Sequence, residues 1–387
     1  MFRYISLDAV AKLLIFASPR FGKHALRSIA YAICDGATLY FSKSIEGESV
    51  MYSFERVFRL VGAVLVLALV SACGGSAESG PYVIKFPHVT APASPKGQTA
   101  QRFKELAEAR FPGRVVVEVY PAAQLMGDSD SLEALAFGEI QMIATTLSVF
   151  DRLTSRVQIF DLPFLFRDLP DVERFQQSAA GQALLQTLEG RNMHGLAFWH
   201  NGMKQLSGPV PLREPADARG LTFRIMESDV LQSQILAFGG SPQKLAYSEV
   251  YQALQAGTVD AQENTFSNMW SSKFYEVQPY ITESNHGYIG YFVAVNGDFW
   301  AALPDDIRVG LEAVLDEVTA WGNASAAEIN AADRARIAAS GLSEIVTLTD
   351  QQLEQWRAAV APVWDEFADV IGADLIAAAQ ADESGAR

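Results

Sequence analysis

Residues 132–146, LEALAFGEIQMIATT, and residues 251–265, YQALQAGTVDAQENT, carry the same pattern in the two halves of the chain. Each reads as a helix with Ala-Leu on its buried face, a glycine at the same offset, and a strand ending in polar residues. Gly138 and Gly257 fall where a helix ends in the left-handed conformation that glycine adopts without steric cost. Chance matching of two ordinary helix-to-strand turns is the alternative. If the module is repeated, two similar lobes face one another. The strand ends at Thr145-Thr146 and Asn264-Thr265 then look into the cleft between them, where open α/β sheets bind ligands.

The surrounding pattern agrees with an α/β fold. YVIKF is a strand, SPKGQTAQRFKELAEARF a helix stopped by Pro112-Gly113, and RVVVEVY a second strand. Such alternation implies largely parallel sheets. Farther on, residues 305–339 support one long helix preceded by Pro304, with Leu311, Val314, Leu315, Val318 and Trp321 at helical spacing and only Gly322 against it. A helix of that length can span both lobes. Thr349 or Asp350 caps another helix near the C-terminus.

The chain has 387 residues, 49% of them hydrophobic, and a net charge of −15, so it can bury a large core and lacks the basic footprint of a nucleic-acid binder. Of its two cysteines, Cys73 closes the run ERVFRLVGAVLVLALVSAC. Arg56 and Arg59, an apolar stretch at 60–70 and small residues before Cys73 read as a secretory signal too short to span a bilayer. Val70-Ser71-Ala72-Cys73 resembles a lipobox, with Cys73 lipidated; ordinary cleavage after Ala72 is the alternative. On this reading residues 1–50 are a non-native upstream extension, 51–72 the signal, and 73–80 a flexible tether. Removal of the signal takes Cys34 with it, leaving no intramolecular disulfide.

No nucleophile elbow, phosphate loop or dinucleotide fingerprint is present, and the histidines lack metal-ligand spacing; neither cofactor nor metal is expected. What remains are polar groups at strand ends. GLTFRIMES (220–228) places Arg224 within an apolar strand, where a guanidinium needs an anion or carbonyls. The anion is either a ligand carboxylate, gripped by the arginine fork, or an internal partner such as Glu227 or Glu263. Lys204 in HNGMKQLS, Asn264 in QENT and Tyr247 ahead of its helix are further candidates. Their ordinary readings are a solvated lysine, a turn residue and a packed aromatic. Trp270, Phe274 and Tyr275 read as core.

The motifs HVTAPASPKG, YPAAQLMGD, DLPFLFRDLP, NGMKQLS, GLTFRIMES, SEVYQALQAGTVDAQENTFSNMWSSKFYEVQPY and TESNHGY together resemble the DctP family, the extracytoplasmic solute receptors of TRAP transporters. The likeness runs over about residues 81–380. It implies a two-lobed periplasmic-binding-protein-like fold, with residues 81–201 and 290–329 in lobe 1 and 202–289 and 330–387 in lobe 2. It also implies a receptor in the periplasm that closes on a small organic acid and hands it to membrane permease subunits, without catalysis. By the same resemblance Arg224 pairs with the ligand carboxylate, Asn264 helps hold it, Tyr247 lines the site, and Lys204 is the second basic position. Thr146 stands where some members carry an acid, which argues against amino- or polyhydroxy-ligands. The 262–287 segment is most similar to the C4-dicarboxylate branch, whose ligands are succinate, fumarate and malate. A diacid would then meet Arg224 at one end and Lys204, with donors near His88 and Thr90, at the other. Another monocarboxylate or sugar acid, or a secreted enzyme on the same scaffold, are the alternatives.

Overall fold

Two strands of 16 and 17 residues, lying antiparallel, organise the protein. The computed structural model describes residues 34–35, 38–45, 48–53 and 80–384, with side chains from 80 to 380. The chain divides into Met1–Ser79 and Gly80–Arg387. In the first unit the described residues are three short antiparallel strands, Cys34–Asp35, Thr38–Ile45 and Glu48–Ser53. The expected signal beyond Ser53, Cys73 and the tether up to residue 79 lie outside the described residues.

The second unit begins with β1 (Tyr82–Pro87), α1 (Pro95–Arg110), β2 (Val115–Tyr120), α2 (Asp128–Phe137) and β3 (Met142–Thr146). Helices α3 (Leu169–Gln177) and α4 (Ala179–Leu185) lead into β4 (Met193–Gly208). Next come β5 (Thr222–Ile225), α5 (Asp229–Phe238), β6 (Ser241–Lys244), α6 (Val250–Ala256), β7 (Ala261–Asn264) and α7 (Phe266–Ser271). The chain closes with β8 (Tyr280–Asn296), α8 (Gly297–Ala302), α9 (Asp305–Ser340), β9 (Glu344–Thr347), α10 (Asp350–Ile371) and α11 (Ala373–Ser384).

The long strands β4 and β8 carry a different set of neighbours at each end. β3 pairs with residues 291–295 of β8, whereas β9 runs beside residues 280–283. β7 pairs with residues 205–207 of β4 and is followed outward by β5 and β6. Parallel pairing occurs in β1–β2, β7–β5–β6 and β8–β9, but the central ribbon is antiparallel, so the sheet is mixed rather than largely parallel as its helix–strand alternation suggests. The reason is that β4 and β8 are single uninterrupted strands shared by both halves, and no crossover helix joins them in parallel.

Register shifts interrupt the ribbon between Thr282 and Gly287, between Ile289 and Gly290, and between Val293 and Ala294. Such irregularities bend a strand pair and leave ladder groups in need of partners. Here α9 supplies them. Asn323 donates to the Phe198 carbonyl and accepts from the His200 amide, while Asn330 donates to the Asn201 carbonyl.

The 36-residue α9 is about 54 Å long. Near its start Ile307, Leu311, Val314 and Val318 pack into a core shared with α1, β1 and β2. Near its end Ile337 packs with Val250, Leu254 and Phe274 from the other half. The helix therefore spans both lobes, as its length allows. Gly322 has a packing reason: a Cβ there would lie 2.3 Å from the Thr99 hydroxyl of α1. The repeated module also takes the expected form, since Gly138 and Gly257 end α2 and α6 in the left-handed conformation, with φ of 77° and 68°.

The fold buries His88, His200 and His286. Burial, helped by the nearby Lys96 charge, lowers His88 to about 3, and burial alone lowers His200 to about 4. His286 is lowered by burial against the opposing pull of Glu263. Unfolded histidines bind protons near 6.5 while these folded ones do not, so stability declines as pH falls from about 6.5 toward those values. We expect His88 and His200 each to cost roughly 2 kcal/mol of stability at pH 5 relative to pH 7. Denaturant unfolding of ligand-free protein at the two pH values checks this; equal stability contradicts it.

Candidate functional site

One cavity of about 210 Å³ lies where the two repeated modules meet. One half contributes Val89, Thr90, the start of α2 from Gly127 to Asp130, and Thr146 at the end of β3. The other contributes Arg224, Tyr247, Asn264 and Asn268, and Ile289 and Tyr291 of β8 complete the lining. Of the residues expected from sequence, Arg224, Asn264, Tyr247, Thr146 and Thr90 thus come together.

Arg224 is held rather than merely placed. β5 lies between β6 and β7, and its arginine is 3% exposed. Nε and Nη2 donate to the Leu245 carbonyl at 3.0 and 2.8 Å, which fixes one edge of the guanidinium. Neither internal anion considered from sequence is available: Glu227 pairs with Arg152, and Glu263 with Lys204. Among the described residues no carboxylate lies within 4.0 Å of Arg224. Burial lowers its pKa to about 10, offset in part by Tyr247 and Glu263, so it stays charged at neutral pH. A buried cation with only a neutral carbonyl anchor carries charge that the described residues leave unpaired.

Around it, Asn264 Oδ1 accepts from the Thr265 amide and from Asn268 Nδ2, which sets the amide's orientation. The Tyr247 hydroxyl pairs with Ser272 Oγ at 2.7 Å, and burial pushes it up to about 12 despite Ser272 and Arg224. Both are neutral donors or acceptors at physiological pH. Across the cavity, Thr146 donates its hydroxyl to Asp128 at 2.8 Å.

Lys204 sits elsewhere. It is fully buried, and its Nζ lies 2.7 Å from Glu263 Oε1. The other Glu263 oxygen accepts from Gln234 and meets His286 Nε2, each at 2.7 Å. Burial alone would raise the Glu263 carboxyl, yet Lys204 and His286 together hold it well below the usual range. Strand alternation explains the separation, because Glu263 and Asn264 point to opposite faces of β7 and only the latter faces the cavity. His88 also departs from expectation: it lines a different cleft, beside Trp321, and reaches the site only through its contact with the Thr90 hydroxyl.

Residues 86–369 match the model of the bacterial extracellular solute-binding protein family 7, DctP. The chain belongs to this family. A C4-dicarboxylate-binding periplasmic protein DctP of Shewanella loihica is 48% identical over 320 residues, covering 82% of this chain and 95% of the relative. A TRAP periplasmic solute-binding protein from Shewanella oneidensis, solved with bound succinate, superposes with a TM-score of 0.77 at 50% identity, covering 78% of this chain and 99% of the other. Another from Pseudomonas aeruginosa, solved with bound L-malate, gives 0.73 at 45% identity, covering 74% of this chain and 100% of the other.

For a solute receptor of the DctP family, the cavity can clamp an anion at Arg224 and orient it with Asn264 and Tyr247. Sequence reasoning passed over Asp128, Asn268 and Tyr291. Asn268 was within reach, four residues after Asn264 at the start of α7. Asp128 reads as an ordinary acid in the first turn of a helix. Tyr291 enters only because β8 pairs with β3 at Thr146. The buried pair leads to a prediction. Lys204→Met should destabilise the protein by roughly 3–5 kcal/mol by stranding the Glu263 charge. Denaturant unfolding measures it, and unchanged stability with weakened ligand binding would instead return Lys204 to the site.

Proposed function

We propose that this chain is the receptor of a TRAP-type transporter for a C4-dicarboxylate such as succinate, fumarate or malate. It binds the diacid outside the cytoplasm and delivers it to membrane permease subunits. The observation that carries this reading is the buried, carbonyl-anchored Arg224, with no carboxylate of the described residues beside it, lining a small cavity. The succinate and L-malate bound by two solved relatives support the ligand class. Arg224 takes one carboxylate; Asn264, Tyr247, Thr90 and Thr146 supply the neutral contacts, while Lys204 serves the fold.

The lobes divide across the β4–β8 ribbon, near residues 201–202 and 289–290, beside the shift at Ile289/Gly290. Residues 81–201 with 290–329 form one lobe, and 202–289 with 330–387 the other. Bending at this ribbon opens and closes the cavity, and the bound diacid holds the closed form. Cys73 at the end of the signal segment is the proposed point of lipid attachment.

Succinate, fumarate or malate should raise the melting temperature of residues 81–387, stabilising the protein by about 2.7 kcal/mol at a hundredfold excess over Kd. Arg224→Ala should abolish the rise. A shift with another organic acid and none with the diacids would overturn the ligand assignment.

A further inference from the structure

A dianion held by one arginine leaves its second carboxylate unmatched, and Lys204 is already neutralised by Glu263. A second cation lies close to the cavity. Lys96 occupies the first turn of α1, is wholly buried, and sends Nζ to the Ala144 carbonyl at 3.0 Å. The ammonium also sits 3.9 Å from the centre of the Tyr291 ring. Tyr291 and Thr146 face one another in register across β8 and β3, and both line the cavity. Lys96 therefore stands directly behind that wall.

A lysine here is not what folding alone selects. The start of a helix carries partial positive charge, so a cation in the first turn opposes the helix dipole. No acidic residue occupies that turn to compensate. Among the described residues no carboxylate comes within 4.0 Å of Nζ, and Asp128 acts on it only from farther away. Asp128 is half-buried and already receives the Thr146 hydroxyl. One carbonyl and an aromatic face are weak compensation for a buried ammonium.

Building on the dicarboxylate reading, we propose that Lys96 is the second cation of this site, attracting the distal carboxylate and setting the preference for diacids over monoacids. Arg224 on one lobe and Lys96 on the other then bracket the ligand, so that only a doubly charged solute satisfies both. Burial lowers Lys96 to about 8 despite the Asp128 charge. Of the basic and phenolic groups around it, His88 is lowered to about 3, Arg224 stands near 10, Tyr247 near 12, and burial raises Tyr291 further. Lys96 is thus the member of this set that titrates near pH 8.

The test compares succinate with succinamate, which replaces one carboxylate by a neutral amide of the same shape. In calorimetric titrations wild-type protein should prefer succinate. Lys96→Met should lower succinate affinity about 10-fold or more, leave succinamate affinity nearly unchanged, and so collapse the preference. Lys96→Arg should keep it. Equal weakening of both ligands by Lys96→Met would mark a purely structural lysine and overturn the proposal. Should Lys96→Met fail to fold, wild-type protein titrated at pH 8 in buffers of different ionisation enthalpy decides between the same two roles: proton uptake with succinate and none with succinamate supports the proposal, and equal uptake refutes it. Succinate binding without preference over succinamate sinks this proposal alone, whereas failure of the wild type to bind succinate removes the dicarboxylate reading beneath it.

Discussion

A guanidinium enclosed in protein without a carboxylate beside it is a costly arrangement, and the site is built around it. Arg224 stays charged although it is buried, with the Leu245 carbonyl accepting from two of its nitrogens, and it is left without an ion-pair partner because Glu227 and Glu263 are engaged elsewhere. Glu263, one of the two internal partners considered from sequence, is removed from competition by Lys204, Gln234 and His286. The two clusters depend on each other in this sense: neutralising Glu263 on one face of β7 leaves the other face to Asn264 and the cavity. A buried ion pair that is itself costly to desolvate thereby leaves Arg224 without Glu263 as a partner.

The second constraint is mechanical. Two long strands belong to both halves, and of their three register shifts the one at Ile289/Gly290 lies between the attachment point of β3 and those of β7 and β9. Asn323 and Asn330 of α9 satisfy backbone groups beside the irregular region. The close approach of α1 to Gly322 anchors that helix to the first half. Each module delivers the end of its strand, Thr146 or Asn264, to the same cavity.

What could be read from sequence follows the range of the interactions concerned. The glycine-ended modules, the long helix and the isolated Arg224 are written in local spacing, and the structure reproduces their form. Lys204 could not be read correctly in that way. Its partner lies 59 residues away on a neighbouring strand, and the pairing of β4 with β7 puts them on one face. Lys96 is similarly silent, since SPKG reads as the polar start of an amphipathic helix until β3 and β8 are seen to enclose it. The antiparallel ribbon was hidden for the same reason: alternating helices and strands suggest parallel crossovers, and nothing local announces two strands shared between lobes.

The most direct test is a crystal structure of residues 81–387 grown with succinate. The account predicts one carboxylate on the free edge of the Arg224 guanidinium, with the Leu245 carbonyl contact retained and Lys204 still paired with Glu263. Succinate bound elsewhere, or Arg224 turned onto a protein carboxylate in the complex, would contradict it.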